Sequence, residues 1–573
     1  MLSCFALCAF NVVLNYMNKL LENAKGKKTM LLGNEAIIRG ALEAGVQFIS
    51  TYPGTPASEI GNNFYALQKE LKDDPKFYFE FSTNEKTAME AAIGANFSGL
   101  KTLVAMKNFG VNVALEPLLP LAYTGTKAPM VIMVADDPQC HSSAQSEENT
   151  RPFAVMSHIP MLEPADAQEC KDFIIEAFNI SEKFGTPVFL RTTTRVSHQR
   201  ALVTLGELDP NRKIALKGEF VRDRNKFVTM MPRLHGMKKE LLEREEKLAA
   251  YFDKSKLNTV VNPPAKGKNA AAGIITSGIA YLHAREAMAE LGVDIPVLKL
   301  GMFHPLPEKK IKDFIKGLKR VLVLEELEPY LQRRIEMMAK DVNCKLQIHG
   351  VDFRSQIGEM KPETAANAIA KLLGKNYKMP IFKPTFEIPV RPPQLCPGCP
   401  YWLVFAEVKK AVDEGKVVFG GDIGCYMIGA LPPHTMYDYM FCMGSSIGIA
   451  HGIKKATNQK VIAFIGDATF FHSGIEGLLN AVYNGSNPLI IIMNNDITAM
   501  TGHQPHPDSV DAVHPIPIEK VVEACGVKNI KIVDQGNAQD FIAAVREYVD
   551  APVVSVIIAR RPCKFVEKKE AAS

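Results

Sequence analysis

Residues 461–495 read VIAFIGDATFFHSGIEGLLNAVYNGSNPLIIIMNN, and this stretch decides the predicted fold. Two apolar runs, 461–465 and 489–493, have the length and composition of buried parallel strands. A helical pattern over 473–483 connects them, so the segment is predicted to be one βαβ unit. Units of this kind build open α/β sheets, in which ligands bind beyond the carboxyl ends of the strands.

Polar residues follow both predicted strands at their carboxyl ends. Gly466 and Asp467 follow the first strand, and Asn495 follows the second, 28 positions after Asp467. Mg²⁺ typically binds one or two carboxylates together with phosphate oxygens, so the pair indicates a cradle for a diphosphate and a metal ion. The pattern resembles the GDG…NN signature of thiamine diphosphate enzymes, with Ala468 in place of the third-position glycine. An ordinary βαβ unit with turn residues at its strand ends is the alternative.

The bulk composition is that of an ordinary globular protein. The chain has 573 residues, 47% apolar and 23% charged, which allows about three or four domains. A net charge of +5 suits anionic ligands, and no dense Lys/Arg patch with interleaved aromatics indicates nucleic-acid binding. We expect no membrane span. Eleven cysteines in a chain of this length do not indicate a disulfide scaffold.

Strand and helix patterns alternate along most of the chain, with a strand predicted at 102–106 and a helix at 167–184 among others. The alternation predicts an α/β fold of doubly wound parallel-sheet domains. The apolar segment 2–17 has no basic flank and no cleavage site, so we expect an upstream extension or tail rather than a signal or anchor. Whether residues 1–16 occur in the mature protein is open. The predicted boundaries are an extension at 1–28, a domain at 29–204, a connector at 205–268, and domains at 269–378 and 379–573.

A second motif supplies the carboxyl group that thiamine diphosphate needs against its pyrimidine ring. Residues 81–88 read FSTNEKTA and precede a helix rich in alanine and glycine, whose small side chains permit close packing. Glu85 lies at the start of this helix and is the predicted cofactor-activating acid. The alternative is an acid favoured there only by the helix dipole.

The segment TYPGTPASEI at 51–60 resembles the YPGTPSSE segment of the 2-oxoacid:ferredoxin oxidoreductases. With its further matches, the resemblance covers nearly the whole chain after residue 29, and it is closer to the alpha subunit of the indolepyruvate branch than to the pyruvate or oxoglutarate enzymes. The further matches are Asp136-Asp137-Pro138, Arg191-Thr192-Thr193-Thr194-Arg195, Cys396-Pro397-Gly398-Cys399-Pro400, Gly421-Asp422-Ile423-Gly424-Cys425 and Thr501-Gly502-His503-Gln504.

The resemblance implies domains and residue roles. The three domains would be pyrimidine-binding, transketolase-C-terminal-like and diphosphate-binding. Glu85 would activate the cofactor, and Thr55 would contact the substrate carboxylate. Asp467, Asn495 and the backbone carbonyl of Ile497 would hold Mg²⁺. The remaining residues expected at the cofactor are Gly466, Ala468 and Thr469, with His472 and Ser473 as weaker candidates.

Four cysteines frame the predicted diphosphate-binding domain. Cys396 and Cys399 form a CxxC motif, Cys425 follows 26 positions beyond Cys399, and Cys563 follows the last predicted strand. Structural zinc and unliganded thiols are alternatives, but uneven thiolate quartets also hold [4Fe–4S] clusters. In the pyruvate and oxoglutarate enzymes of the family that the chain resembles, cysteines with similar spacing hold a cluster near the cofactor. We therefore expect one [4Fe–4S] cluster here.

The resemblance implies a cytoplasmic, oxygen-sensitive enzyme that oxidatively decarboxylates aryl 2-oxoacids such as indolepyruvate and phenylpyruvate. Coenzyme A would take the acyl group and ferredoxin the electrons, and a beta subunit would complete a heterotetramer of two alpha and two beta chains. The family's usual ferredoxin-like segment is not found in the ten residues after Cys563, so distal clusters would lie on a separate subunit or be absent. Two alternatives are a non-oxidative thiamine diphosphate decarboxylase or synthase, and a catalytically silent scaffold subunit. The preferred 2-oxoacid is left open.

Overall fold

The computed structural model describes residues 19–142, 145–208, 215–264, 270–378, 385–387, 389 and 391–566. The chain divides into two compact units, Met1–Phe382 and Lys383–Ser573. Most of the predicted extension, at 1–18, and the predicted boundary at residue 379 lie outside the described residues. Within the described ranges, no helix combines the length and apolar character that crossing a membrane requires.

The strands of the first unit form three sheets: a seven-stranded sheet, a five-stranded sheet and a two-stranded ribbon. In chain order they are β1 (Lys28–Leu32), β2 (Phe48–Thr51), β3 (Tyr78–Phe81), β4 (Thr102–Lys107), β5 (Met130–Asp136), β6 (Met161–Leu162), β7 (Val188–Thr193), β8 (Arg200–Thr204), β9 (Asn258–Val261), β10 (Ala272–Ser277), β11 (Val297–Leu300), β12 (Met302–His304), β13 (Arg320–Leu324) and β14 (Gln347–His349).

Helices connect these strands, as the alternating pattern of the sequence predicts. In chain order they are α1 (Gly33–Glu43), α2 (Ser58–Glu70), α3 (Glu85–Phe97), α4 (Asn108–Thr124), α5 (Arg151–Ser157), α6 (Ala167–Phe184), α7 (Thr194–His198), α8 (Arg224–Phe227), α9 (Arg233–Lys254), α10 (Ile279–Glu290), α11 (Glu308–Ile315), α12 (Tyr330–Val342) and α13 (Pro362–Leu373).

The seven-stranded sheet has the order β12-β6-β7-β5-β4-β2-β3, and all its pairs are parallel except β12 with β6. The chain passes from β2 outward to β3, returns past β2 to β4, and continues to β5. The direction of winding therefore reverses between β2 and β4. In open α/β sheets a crevice forms at such a reversal, outside the carboxyl ends of the strands.

The five-stranded sheet has the order β14-β13-β10-β11-β9 and is parallel apart from β9. Strand β12 follows β11 directly in the chain but pairs with β6 of the larger sheet. The predicted domains at 29–204 and 269–378 thus share a sheet. The predicted domain boundaries inside the first unit stay predictions.

A buried arginine joins the ends of both sheets. Arg151, at the start of α5, donates from Nε to Glu163 Oε1 (2.7 Å), from Nη2 to Glu163 Oε2 and Ser277 Oγ (both 2.8 Å), and from Nη1 to Glu325 Oε2 (3.2 Å). Glu163 follows β6, Ser277 ends β10 and Glu325 follows β13. Burial opposes ionisation of Glu163, but Arg151 and Arg191 hold its pKa at about 2.

The second unit is one fully parallel sheet of order β15-β16-β17-β19-β18. Apolar clusters lie on both faces of this sheet, so it is doubly wound. The prediction of α/β parallel-sheet domains is therefore confirmed. Its elements are α14 (Tyr401–Ala411), β15 (Val417–Gly420), α15 (Ser445–Ala456), β16 (Lys460–Gly466), α16 (Asp467–Thr469), α17 (Ile475–Tyr483), β17 (Leu489–Asn494), α18 (Ile518–Ala524), β18 (Asn529–Val533), α19 (Ala538–Tyr548) and β19 (Ser555–Arg560).

Replacing Arg151 by methionine is expected to destabilise the first unit, because Glu163 and Glu325 are left buried with less compensating charge. The cost expected for breaking a buried charge network is about 3–5 kcal/mol, measured as a lower urea midpoint of unfolding. The matched control is Lys239→Met, which removes an exposed ion pair with Glu243 (4.0 Å) and should leave the midpoint unchanged. An unchanged midpoint for Arg151→Met would show that the network does not stabilise the junction of the two sheets.

Candidate functional site

Glu85 lies in the first turn of α3, where the preceding residue caps the helix. The Asn84 side chain accepts a hydrogen bond from the Thr87 backbone amide (2.9 Å), which starts the helix at Glu85. Glu85 is 4% exposed. A Cβ on Gly110, in the first turn of α4, would lie 2.7 Å from Glu85 Cγ and 2.9 Å from its Oε1. Glycine at position 110 therefore makes room for the Glu85 carboxyl group.

Thr55 lies in the loop between β2 and α2, beyond the carboxyl end of β2. Its Oγ1 is 3.2 Å from Ser58 Oγ, within hydrogen-bond distance. Fully buried Asn34 anchors this loop, because its Nδ2 donates to the Pro56 carbonyl (2.7 Å) and to Glu59 Oε2 (2.8 Å). The loop that carries Thr55 is thus held at the β2 side of the crevice.

Lys107 lies at the same crevice and was not a sequence candidate. It ends β4, the strand beside β2, and its Cγ and Cδ would lie 2.8 Å from a Cβ on Gly54. Burial lowers the pKa of Lys107, while Asp137 and Glu85 act in the opposite direction. The sequence does contain a signal that could have identified this residue, because a lysine directly follows the apolar run TLVAM at 102–106.

Asp136 and Arg191, from two of the sequence motifs that carry the resemblance, form ion pairs within the sheet. Arg191 donates from Nε to Asp136 Oδ2 (2.8 Å) and from Nη1 to Glu163 Oε1 (3.2 Å), and all three side chains are buried. The Thr150 backbone amide also donates to Asp136 (2.9 Å). Asp136 and Arg191 are therefore explained by buried charge compensation.

In the second unit, the Asp467 carboxylate is held by backbone amides at the ends of β16 and β17. Its Oδ2 accepts from the amides of Asn495 and Asp496 (both 2.9 Å), and its Oδ1 accepts from Ala468 (2.8 Å). Asp467 is 3% exposed. The predicted proximity of Asp467 and Asn495 is therefore present in the structure, through a side chain to backbone bond.

The backbone around Asn495 is strongly turned. Asn495 Oδ1 accepts from the Ile497 amide (3.3 Å), and Asp496 has a φ of 69°, a conformation that aspartate tolerates better than most residues. The Asn495 carbonyl accepts from the Cys563 amide (2.9 Å). This last bond connects the end of β17 to one of the four framing cysteines.

Ala468, which replaces the glycine of the thiamine diphosphate signature, lies in the helical turn α16. A helical backbone accepts a Cβ without strain, so the departure from glycine is tolerated. Gly466 is different, since a Cβ there would lie 2.6 Å from Tyr426 Cε1. The Thr469 hydroxyl donates to the Ile423 carbonyl (2.8 Å), and His472 Nδ1 lies within hydrogen-bond distance of Ser473 Oγ.

Two further residues of this region were not assigned roles from the sequence. His506 Nε2 lies 3.2 Å from Asp467 Oδ2. Burial opposes protonation of His506, but the Asp467 carboxylate raises its pKa overall. Asp422 accepts from the amides of Gly444 (2.9 Å) and Ser446 (3.0 Å), and burial raises its pKa to about 6. Asp422 thus holds the start of α15 against the loop that leads to Cys425.

The four framing cysteines influence one another electrostatically. Burial, with smaller contributions from Cys399, Cys563 and Cys396, raises the pKa of Cys425 to about 12. Burial likewise raises the pKa of Cys399 to about 11, with contributions from Cys396 and Cys563. Each of these influences requires the thiols to lie within electrostatic range of one another. The fold therefore brings these four thiols within electrostatic range of one another, and their sharing of one cluster stays a prediction.

A cavity of about 740 Å³ opens beside this group and is lined by Cys396, Cys399, Trp402 and Arg561 among others. Cys396 is exposed, whereas Cys399, Cys425 and Cys563 are half-buried. The cysteine group is therefore accessible from the cavity on the Cys396 side.

The donor atoms differ between the two predicted metal sites. In the part of the chain that the structure describes, no three or more His, Cys, Asp or Glu side chains form a group that could hold a metal ion. The predicted magnesium ligands include only one such side chain, Asp467, together with two neutral oxygens, a donor set that suits Mg²⁺. The four thiols have the donor type of an iron–sulfur site but do not form a closed ligand set.

Two family models match the chain. The model "Pyruvate flavodoxin/ferredoxin oxidoreductase, thiamine diP-bdg" matches residues 39–255, and "Thiamine pyrophosphate enzyme, C-terminal TPP binding domain" matches residues 422–559. The first match contains Thr55, Glu85 and Lys107, and the second contains Asp467 and Asn495. The crevice between β2 and β4 and the strand ends that carry Asp467 and Asn495 therefore both fall in thiamine diphosphate-binding domains.

Two indolepyruvate oxidoreductase subunits are similar over nearly the whole chain, and a 2-oxoglutarate synthase subunit is similar over about half of it. Indolepyruvate oxidoreductase subunit IorA of Methanothermobacter thermautotrophicus is 40% identical over 564 residues, 96% of this chain and 88% of the relative. The IorA subunit of Pyrococcus horikoshii is 40% identical over 568 residues, 94% of this chain and 86% of the relative. The 2-oxoglutarate synthase subunit KorA of Archaeoglobus fulgidus is 28% identical over 345 residues, 56% of this chain and 94% of the relative.

A 2-oxoglutarate:ferredoxin oxidoreductase from Magnetococcus marinus is similar in structure, with a TM-score of 0.49, 17% identity, and coverage of 60% of this chain and 65% of the other. The identity and coverage of the sequence relatives are high enough to establish the family. The chain belongs to the IorA subunit family of the indolepyruvate oxidoreductases.

Proposed function

We propose that this chain is the thiamine diphosphate-binding subunit of an enzyme that oxidatively decarboxylates aryl 2-oxoacids, indolepyruvate and phenylpyruvate among them. The products are CO₂ and the aryl-acyl thioester of coenzyme A, and ferredoxin accepts the electrons. The names of the IorA relatives support the substrate class. One observation carries the redox part of the proposal. The Cys563 amide donates to the Asn495 carbonyl (2.9 Å), so one of the four cysteines lies beside a residue proposed to hold the metal ion of the diphosphate.

The residues of the first unit act on the cofactor ring and the substrate. Bound thiamine diphosphate supplies a nucleophilic carbon that adds to a keto group and accepts the electron pair released with CO₂. Glu85, buried and backed by Gly110, donates or accepts a hydrogen bond at the pyrimidine ring and holds a proton there. Thr55, at the β2 side of the same crevice, orients the substrate through its hydroxyl group.

The residues of the second unit hold the diphosphate and its metal ion. Asp467, the side-chain oxygen of Asn495 and the carbonyl of Ile497 are the proposed Mg²⁺ ligands. The hydrogen bonds from backbone amides hold the Asp467 carboxylate in a fixed orientation, as an oxygen ligand requires. Gly466, Ala468 and Thr469 would contact the diphosphate, and the turn at α16 brings their backbone to the strand end.

The four neighbouring thiols Cys396, Cys399, Cys425 and Cys563 are the proposed ligands of one [4Fe–4S] cluster. Their mutual influence on pKa supports a shared site, since thiols that oppose one another's ionisation are relieved by a bound cation. Half-burial of three of the thiols provides the partly water-excluded surroundings typical of such sites.

The proposed function also includes a partner subunit. We place the chain in a cytoplasmic heterotetramer with a beta subunit, two chains of each kind, that passes electrons to ferredoxin or a separate ferredoxin-like subunit. The naming of the relatives as subunits supports a partner chain. The native mass of the anaerobically purified complex tests this stoichiometry.

The substrate class is tested by viologen reduction in the anaerobically purified complex with coenzyme A. We expect the highest kcat/KM with indolepyruvate or phenylpyruvate and lower values with pyruvate and 2-oxoglutarate. A preference for pyruvate would refute the aryl assignment. Decarboxylation that yields aldehyde without viologen reduction would instead identify a non-oxidative enzyme, and failure to bind thiamine diphosphate with Mg²⁺ would identify a scaffold subunit.

Glu85→Gln is expected to lower kcat by about 10²-fold or more, because a glutamine cannot take part in proton transfer at the pyrimidine ring. Cofactor binding, followed by calorimetry with Mg²⁺ present, should weaken far less. The control is Glu90→Gln on the exposed side of the same helix, with kcat unchanged. Equal kcat values for the two variants would exclude the proposed role of Glu85.

Cys425→Ser is expected to lower the bound iron and sulfide and to abolish viologen reduction, because serine is a poor replacement for a thiolate ligand. Iron and acid-labile sulfide are counted per chain after anaerobic purification, and the cluster is followed by its electron paramagnetic resonance signal. Cys442→Ser, which changes an exposed cysteine of the same unit, is the control and should retain full iron. Identical iron contents in both variants would refute the cluster assignment.

A further inference from the structure

A lysine lies at the winding reversal of the seven-stranded sheet. Lys107 ends β4, and the loop that carries Thr55 follows β2, its immediate neighbour. Because the crevice of an open α/β sheet forms where the winding reverses, Lys107 occupies the position at which such sheets bind ligands. The sequence predictions and the function proposed above assign no role to this side chain.

The position of the Lys107 side chain is set by close neighbours. Its Cγ and Cδ lie against Gly54, where a Cβ would come within 2.8 Å, so glycine is required for this approach. Its Nζ lies 5.0 Å from the centroid of the Phe109 ring. Helix α4 begins at Asn108, directly after Lys107, so the positive end of a 17-residue helix lies beside the ammonium group.

Several acidic groups act on Lys107 from a distance. Asp137, Glu85, Cys140 and Glu148 are near enough to raise its pKa, but burial outweighs them. Among the residues that the structure describes, none forms an ion pair or hydrogen bond with the Lys107 ammonium group. A half-buried cation without an ion pair is unfavourable, and an anion bound beside it offsets that cost.

We propose that Lys107 binds the carboxylate of the 2-oxoacid substrate. This inference rests on the proposed function. The Lys107 side chain lies against Gly54, which precedes Thr55 in the chain, and Glu85 is near enough to raise the pKa of Lys107. Lys107 is therefore placed among the residues proposed to act on the substrate and the cofactor ring.

The direct test uses the full chain with its co-purifying subunit and the variant Lys107→Met. A charge-assisted hydrogen bond in a partly desolvated site corresponds to about 10–100-fold in binding, so we expect KM for phenylpyruvate to rise by this factor. The affinity for thiamine diphosphate with Mg²⁺ should stay the same. Lys86→Met is the matched control: Lys86 adjoins Glu85 in the chain but pairs with exposed Glu116, so KM should not change.

A second measurement does not depend on turnover. Binding of 3-phenylpropionate and of its neutral amide to the cofactor-free complex is measured by calorimetry. Lys107→Met should weaken binding of the carboxylate about 10–100-fold and leave binding of the amide unchanged, while Lys107→Arg should retain part of the carboxylate affinity. If the methionine variant does not fold, Lys107→Gln replaces it.

The outcomes separate the two proposals. An active wild-type enzyme with unchanged KM in Lys107→Met overturns the role of Lys107 and leaves the proposed function intact. Equal loss of carboxylate and amide binding, or loss of cofactor affinity alone, also overturns it, because Lys107 would then act on the cavity or on Glu85. Carboxylate binding that depends on Lys107 in a complex inactive with every 2-oxoacid overturns the proposed function instead.

Discussion

The second unit depends on one buried carboxylate. Asp467 accepts hydrogen bonds from backbone amides at the ends of two adjacent strands, and each bond to a charged group contributes about 1.5–3 kcal/mol. These bonds determine the turn after β17, and with it the orientation of Asn495. The Asn495 carbonyl in turn holds the Cys563 amide, so the cofactor cradle and the cysteine group form one connected structure.

In the first unit, small residues make room for the proposed functional side chains. Gly54 admits the Lys107 side chain and Gly110 admits Glu85, so two charged groups approach the winding reversal without steric conflict. In the same unit, Arg151 and Arg191 compensate the charge of Glu163, and Arg151 joins the ends of the seven-stranded and five-stranded sheets. Both units thus place their functional groups at the carboxyl edge of a parallel sheet, where backbone amides and loops are available.

Periodicity predicted most elements well, since buried strands and amphipathic helices have distinct patterns. The helix predicted at 167–184 coincides with α6, and the strand predicted at 102–106 ends one residue later, at Lys107. Helix α4 was not predicted, because Pro117 and Pro120 in its interior argue against a helix. Its buried apolar face packs in the core regardless, and such tertiary contacts override local propensity.

The sequence by itself determined the strand ends that carry Asp467, Asn495 and Thr55, and the helix start that carries Glu85, because these depend on local patterns of apolar and capping residues. The spacing of four cysteines also led to the prediction that Cys396, Cys399, Cys425 and Cys563 share one site. Only the tertiary structure decided the positions of Lys107 and His506 and the bond between Cys563 and Asn495. These join residues far apart in the chain, and a contact of that kind depends on how strands are ordered in the sheet, which no local pattern encodes.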